Sequence, residues 1–288
     1  MSLEFLFSKI KKNNFLLLGR AGIDIYPDPP GTKTENAKIF VTHLGGSSAN
    51  MGVELVKFGG KCEILTRVSN DALGRLVLNQ LDYYGVNRNF VKFEKNESRI
   101  SFAIVESTIE DHQSIIYRHK AADLFLTKSD IDNVNIENFD CILLTGTSLA
   151  AEPSRSAVIY ALKKAKSHKI PVIMDIDYRP YTWESSLKAS EVYKLASKMC
   201  TGLIGNDDEF GILAGNYDEG FSYAKNLSEK INIIIYKEGE KGSVTLVNNK
   251  EIKKGIFSVK PIKPTGAGDA FMGAFIGSIL KGYDIDKS

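Results

Sequence analysis

Short apolar runs alternate with amphipathic stretches along most of this chain. Residues 15–18, 62–68, 141–144, 171–176, 203–205 and 231–236 are rich in Leu, Ile, Val and Phe, as strands buried on both faces are. Between them, residues 48–58, 72–84, 154–166 and 184–198 carry apolar positions at helical spacing, as at 73, 76, 77, 81 and 84. Ser47 or Ser48 is the expected cap of the first helix. This alternation predicts an α/β fold: a mostly parallel central sheet covered by helices on both faces, a three-layer sandwich.

Two segments depart from the pattern. Residues 38–43 and 100–118 are strand-like, carry polar positions and are not spaced by helices, as in a small sheet open to water on one side. They read as a lid, its strands within about 25–45 and 98–120, on a single domain spanning 1–288. Residues 28–32, Asp-Pro-Pro-Gly-Thr, read as a rigid loop between the first strand and that lid. No internal repeat or low-complexity linker divides the chain.

Composition narrows the class. The 288 residues include 37 basic and 35 acidic ones, a net charge of +2, so charge gives no case for nucleic acid. Cys62, Cys141 and Cys200 are widely separated in or beside apolar runs and read as buried free thiols, which suits a reducing compartment. No apolar run approaches the roughly 20 residues of a membrane helix, and the N-terminus makes a poor signal peptide, so a cytoplasmic location without membrane contact is expected. His43, His112, His119 and His168 show no metal spacing.

The chemistry concentrates near the C-terminus, in Pro264, Thr265, Gly266, Ala267, Gly268, Asp269, Ala270 and Phe271. Two glycines let the backbone turn tightly so that N–H groups converge, and the apolar run that follows reads as a buried helix. Such a turn at a helix N-terminus favours an anion, and Asp269 is fixed beside it. An anion hole with an adjacent carboxylate suits phosphoryl transfer to a hydroxyl, though Asp269 could equally be only a helix cap. No G-x-x-x-x-G-K-[ST] string occurs, and a dinucleotide fingerprint would want glycine where Phe271 stands.

Ligands of open parallel sheets bind beyond the carboxyl ends of the strands. There the sequence puts Asp24, residues 177–179, Asn206 with Glu209, and residues 237–242; Gly45, Gly46 and Asn50 lie where the lid returns into a helix. Each has a plain alternative: Gly45 and Gly46 as a turn, Asn206 as a helix cap, Glu209 as a first-turn acid.

With Gly45-Gly46-Ser47-Ser48-Ala49-Asn50 and Gly266-Ala267-Gly268-Asp269 in that order and far apart, the chain resembles the ribokinase-like (PfkB) sugar kinases from residue 15 to about 282. The resemblance implies ATP-dependent phosphorylation of a sugar hydroxyl, with Asp269 as the base and the N–H groups of Gly266, Ala267 and Gly268 as the anion hole. It implies sugar binding by Asp24, Gly45, Gly46 and Asn50. It assigns Asn206 and Glu209 to Mg²⁺ through water, and Lys237, Gly239 and Gly242 to the nucleotide. Arg118 and Arg179 match positions where relatives acting on acidic sugars hold a carboxylate; a salt bridge is the alternative for each.

Within the family, Gly19 to Asp24 with Tyr26 and Pro27, Tyr117 to Asp123, and Lys263-Pro264 are similar to the 5-dehydro-2-deoxygluconokinases of inositol catabolism. The expected substrate is therefore a keto-deoxy sugar acid. The alternatives are a 2-keto-3-deoxygluconate kinase, a fructokinase or a ribokinase, and, from another class, a non-catalytic sugar-binding protein. The resemblance also allows a monovalent cation and a homodimer formed through the lid. Family members usually continue past the position of Ser288 with another helix or two, so the adenine side of the nucleotide pocket is expected to be incomplete.

Overall fold

The computed structural model describes residues 2–95, 97–107, 113–257 and 265–287. Its first half runs α1 (Leu3–Ile10), β1 (Phe15–Leu18), β2 (Gly22–Asp28), β3 (Ile39–Gly45), α2 (Ser47–Lys57), β4 (Cys62–Ser69), α3 (Ala72–Tyr83), β5 (Asn87–Glu94), β6 (Phe102–Val105) and β7 (Ser114–Tyr117). Next come α4 (Lys128–Asp132), β8 (Cys141–Thr145), α5 (Ser154–Ser167), β9 (Val172–Asp175), α6 (Ser186–Ser197) and β10 (Gly202–Asn206). The remainder is α7 (Asp207–Ala214), α8 (Gly220–Ser228), β11 (Ile233–Lys237), β12 (Ser243–Val247), β13 (Lys250–Lys254) and α9 (Ala267–Leu280).

Nine strands form one sheet in the order β13-β12-β11-β10-β9-β8-β1-β4-β5, parallel from β5 to β11 and closed by the antiparallel β12 and β13. Strand residues point alternately to its two faces. Leu16, Leu18, Ile142, Leu144, Met174 and Ile234 join one core with helices α5 to α8. Phe15, Leu17, Cys141, Leu143, Ile173, Ile233 and Ile235 join a second core with α1, α2, α3 and α9. Both faces being covered explains the unbroken apolar runs, since each fully buried Leu or Ile contributes about 1.5–3 kcal/mol. Strands β3-β2-β6-β7 form a separate four-stranded sheet whose β3 residues 39–43 are exposed.

Several expectations need correction. Asp24, expected beyond the carboxyl end of the first strand, follows β1 but lies inside β2, paired with His43 of β3. The 28–32 loop therefore joins two strands of the smaller sheet rather than leading into it. Neither Ser47 nor Ser48 caps α2; the cap is Gly46 at φ 95°, and the Ser47 hydroxyl donates to Asp177 instead. Helix α9 starts at Ala267 with Gly266 (φ 82°) as its cap, so Asp269 lies within the first turn and does not cap it. Helices α1 and α8, the polar edge strand β5 and the β12–β13 hairpin carry signals too short or too mixed to separate from loop.

Close packing of α2 on α9 is set by small residues. A Cβ on Gly273 would lie 2.7 Å from the Met51 carbonyl oxygen, and one on Gly277 would lie 2.4 Å from the Phe58 ring. With no side chain at either position the two helices can touch, and their N-termini meet at the carboxyl ends of the strands.

Candidate active site

The ends of β9, β10 and β11 present Asp175, Asn206 and Lys237 to a cavity of about 420 Å³. Helix α9 supplies Gly266, Gly268 and Asp269, and α2 supplies Ser47 and Asn50. Asp24 of β2, Arg20, Asp177, Arg179, Tyr181 and Glu209 complete the polar wall.

Asp269 is the centre of this arrangement. Its Oδ2 accepts a hydrogen bond from Asn50 Nδ2 at 3.0 Å, a contact the α2–α9 packing makes available. Burial and the neighbouring Asp177 carboxylate push the Asp269 carboxyl up to about 7, against the Asn50 hydrogen bond, Arg179 and Arg20, which favour the charged form. A base tuned to that value is half ionised at neutral pH and matched to a hydroxyl proton. Asn50→Ala removes a donor to the charged form, so the acidic limb of the rate profile is expected to move to higher pH. An unshifted limb in kcat/KM against pH would contradict this link.

The first-turn N–H groups of α9 have no intrahelical acceptor, and the helix dipole adds positive potential at the same end. Gly266, the cap, and Ala267, Gly268 and Asp269 of the first turn carry them, and Gly266 and Gly268 line the cavity. A Cβ on Gly268 would sit 3.3 Å from Lys237 Nζ, so this cation lies against the turn. Burial opposes the Lys237 charge, but Asp175 (Nζ–Oδ1 3.5 Å) and Glu209 outweigh it and raise its pKa.

Asn206 and Glu209 form a reciprocal cap on α7: Asn206 Oδ1 accepts from the Glu209 N–H, and Glu209 Oε2 accepts from the Asn206 N–H, both at 2.8 Å. Glu209 Oε1 accepts from the Tyr178 N–H at 3.2 Å. The plain capping reading is thus realised, with Glu209 still facing the cavity. Burial raises the Glu209 and Asp175 carboxyls, and Asp175 Oδ1 has no hydrogen bond. Among the described residues no three His, Cys, Asp or Glu side chains converge to hold a metal directly. An Asp175 oxygen that has no hydrogen bond and meets only the Lys237 ammonium, beside Glu209, fits Mg²⁺ that keeps its water and meets the protein at second hand.

The remaining expected residues separate. Gly45 ends β3, where a Cβ would lie 2.3 Å from Asp24 Oδ1, so its missing side chain lets that carboxylate lie against the backbone. Arg179 lines the cavity and pairs with Asp177 (Nη2–Oδ1 2.8 Å). Burial would raise Asp177, but Arg179, the Ser47 hydroxyl and Arg20 hold it low. Arg118 does not line the cavity: its Nε donates to Asp123 Oδ2 at 2.9 Å and its Nη1 to the Thr147 carbonyl at 2.9 Å. Gly239 and Gly242 are also absent from the lining and shape the turn between β11 and β12. Lys263, Pro264 and His112 lie outside the described residues.

Among the polar lining residues, Arg20, Ser47, Asp175 and Tyr181 escape the sequence reading of the site. Arg20 stands two positions past an all-apolar strand, and Asp175 opens an Asp-x-Asp at a strand end, signals that were present but unweighted. Ser47 stands within the Gly45 to Asn50 signature and as a candidate cap, with no site role of its own. Gly46 also has a local duty: its Cβ would lie 2.6 Å from the Arg20 carbonyl oxygen, at a φ that L side chains rarely adopt. Gly46→Ala is expected to cost about 2–4 kcal/mol in urea unfolding; an unchanged midpoint would contradict this.

The pfkB family carbohydrate kinase profile matches residues 12–288. A protein named 5-dehydro-2-deoxygluconokinase from Photobacterium profundum is 34% identical over 277 residues, covering 94% of this chain and 84% of its own. One of the same name from Geobacillus thermodenitrificans is 32% identical over 288 residues, covering 98% and 86%. The fold matches a PfkB protein from Polaromonas at TM-score 0.82 and 19% identity, covering 95% of this chain and 91% of that one. It also matches an uncharacterized sugar kinase from Pyrococcus horikoshii solved with ATP, at TM-score 0.79 and 22% identity, covering 95% and 87%.

Proposed function

The chain belongs to the PfkB family of carbohydrate kinases, and from that premise we propose that it transfers the γ-phosphoryl group of ATP to a primary hydroxyl of 5-dehydro-2-deoxygluconate. The observation that carries the reading is Asp269: a half-buried carboxylate tuned to about 7, held by Asn50 in the first turn of α9. It takes the proton of the attacking hydroxyl. The N–H groups of Gly266, Ala267 and Gly268, with Lys237, meet the charge that builds on the phosphoryl oxygens. Mg²⁺, when bound with the nucleotide, neutralises phosphate charge; Asp175, Glu209 and Asn206 are the donors that would hold it through water.

Asp24 and Asn50 bind sugar hydroxyls, and Arg179 meets the carboxylate of the acid. The smaller sheet acts as a lid that keeps water, a competing acceptor, from the phosphoryl group. Its exposed Ile39, Phe40, Val41, Ile115 and Tyr117 support pairing with a second copy. Sedimentation is then expected to read twice 31.8 kDa, and a monomer at micromolar concentration would exclude it.

A coupled ADP-release assay with MgATP tests the reading against 5-dehydro-2-deoxygluconate, 2-keto-3-deoxygluconate, fructose and ribose. Turnover is expected on the acids, with the 5-dehydro compound preferred. Turnover of a neutral sugar alone would overturn the substrate. Sugar binding in calorimetry without nucleotide binding would favour a non-catalytic binding protein.

A further inference from the structure

Among the described residues, Arg20 is a cation that lines the cavity without an ionic partner. The residue is 8% exposed, its Nε is buried without a hydrogen bond, and no described side chain forms an ion pair with it. An unpaired buried guanidinium is costly, and proteins keep such a group where something else completes it. Asp177 is close enough to feel Arg20 but spends its oxygens on Arg179 and Ser47.

The backbone that carries Arg20 is fixed from both sides. Its carbonyl accepts from the Ala49 N–H in the first turn of α2 at 3.3 Å, and Gly46 lies close against it. One residue earlier, a Cβ on Gly19 would lie 2.1 Å from Ser48 Oγ and 2.4 Å from Thr145 Oγ1, so the chain there is closely packed. The side chain therefore starts from a fixed point and lines the same cavity as Asn50 and Asp24 of β2, the residues proposed to bind the sugar. Lys237 and the α9 turn already supply the positive groups for phosphate at the far strands.

We propose that Arg20 is a specificity-determining residue that binds the carboxylate of the sugar acid together with Arg179, the place Arg118 cannot fill because Asp123 and Thr147 occupy its guanidinium. This rests on the sugar-acid reading above. Two cations explain how a site that already holds Asp24, Asp177 and Asp269 admits a further anion. Like charges across so small a cavity would otherwise exclude it.

The test compares the acid with its neutral carboxamide in the wild type, Arg20→Met and Arg20→Lys, by steady-state kinetics and thermal melting. The wild type is expected to prefer the acid. Arg20→Met is expected to raise the acid KM by about 10- to 100-fold, leave the KM for ATP within about twofold, and bring acid and amide to parity. Arg20→Lys is expected to recover part of the preference, as charge without the planar fork would. The Met variant is expected to melt within a few degrees of the wild type, since the desolvation cost of the Arg20 charge is removed together with its attraction to Asp177 and Asp269.

An acid-to-amide ratio that stays at the wild-type value in Arg20→Met would overturn the assignment and leave the kinase reading standing. So would a rise in the KM for ATP with none for the acid, or a lowered melting temperature with an unchanged acid KM. If the wild type phosphorylates neither acid nor amide, the sugar-acid reading fails and the assignment falls with it.

Discussion

Asp269→Asn is expected to lower kcat by about 10²–10⁴-fold while changing the KM of the sugar acid little. The amide keeps the shape and can still accept from Asn50 Nδ2 through its oxygen, so the cavity and α9 should stand. What is lost is a group able to take the hydroxyl proton. In the wild type that group must be ionised to act, and its value near 7 means that kcat/KM falls as pH drops through 7. The residual activity of the Asn variant is expected to lose that limb. Near-normal turnover would remove Asp269 from the chemistry.

Stability is expected to change in the opposite sense. The unfolded chain releases this proton near the ordinary Asp value of about 4, whereas the fold holds it to about 7. Between those values the native state binds more protons, so its stability falls as pH rises, and the deficit persists above 7. Asn carries no such penalty, and at pH 8 the variant is expected to melt several degrees above the wild type. A lower melting temperature with intact secondary structure would mean that burial does not penalise the Asp269 charge.

Arg118→Ala is the second large effect, and it is one of stability. Asp123 is 5% exposed; its Oδ2 rests on Arg118 and its Oδ1 has no hydrogen bond. Deleting the guanidinium leaves a buried carboxylate and the Thr147 carbonyl without their donor. Breaking a buried pair from one side typically costs about 3–5 kcal/mol. Urea unfolding should show that loss, and whatever remains folded should keep a near-normal KM for the acid. An unchanged midpoint with a raised KM would return Arg118 to the substrate.

Legibility along the chain followed the physics. The parallel strands were visible because both their faces are buried, so Phe15 to Leu18 reads the same in sequence as in structure. The β12–β13 hairpin was not, because Lys250–Lys254 is a polar edge with one inward side chain, Ile252. The Gly-rich turn and Asp269 were legible as a unit, but whether Asp269 capped or lay within the helix depended on one backbone angle, at Gly266. Choosing among arginines was hardest. Arg118 and Arg20 are both buried, and sequence does not say that Asp123 pairs with one while no described residue forms an ion pair with the other. That difference is purely tertiary.

The central claim is that this cavity phosphorylates a sugar acid on a hydroxyl. The most direct measurement is phosphorus NMR of the purified chain with MgATP and 5-dehydro-2-deoxygluconate. The expected result is a new phosphate monoester resonance that grows as the γ-phosphate of ATP disappears, coupled to methylene protons, and absent with Asp269→Asn on the same timescale. Growth of inorganic phosphate alone would mean that water is the acceptor. A spectrum unchanged over hours of incubation would contradict the account.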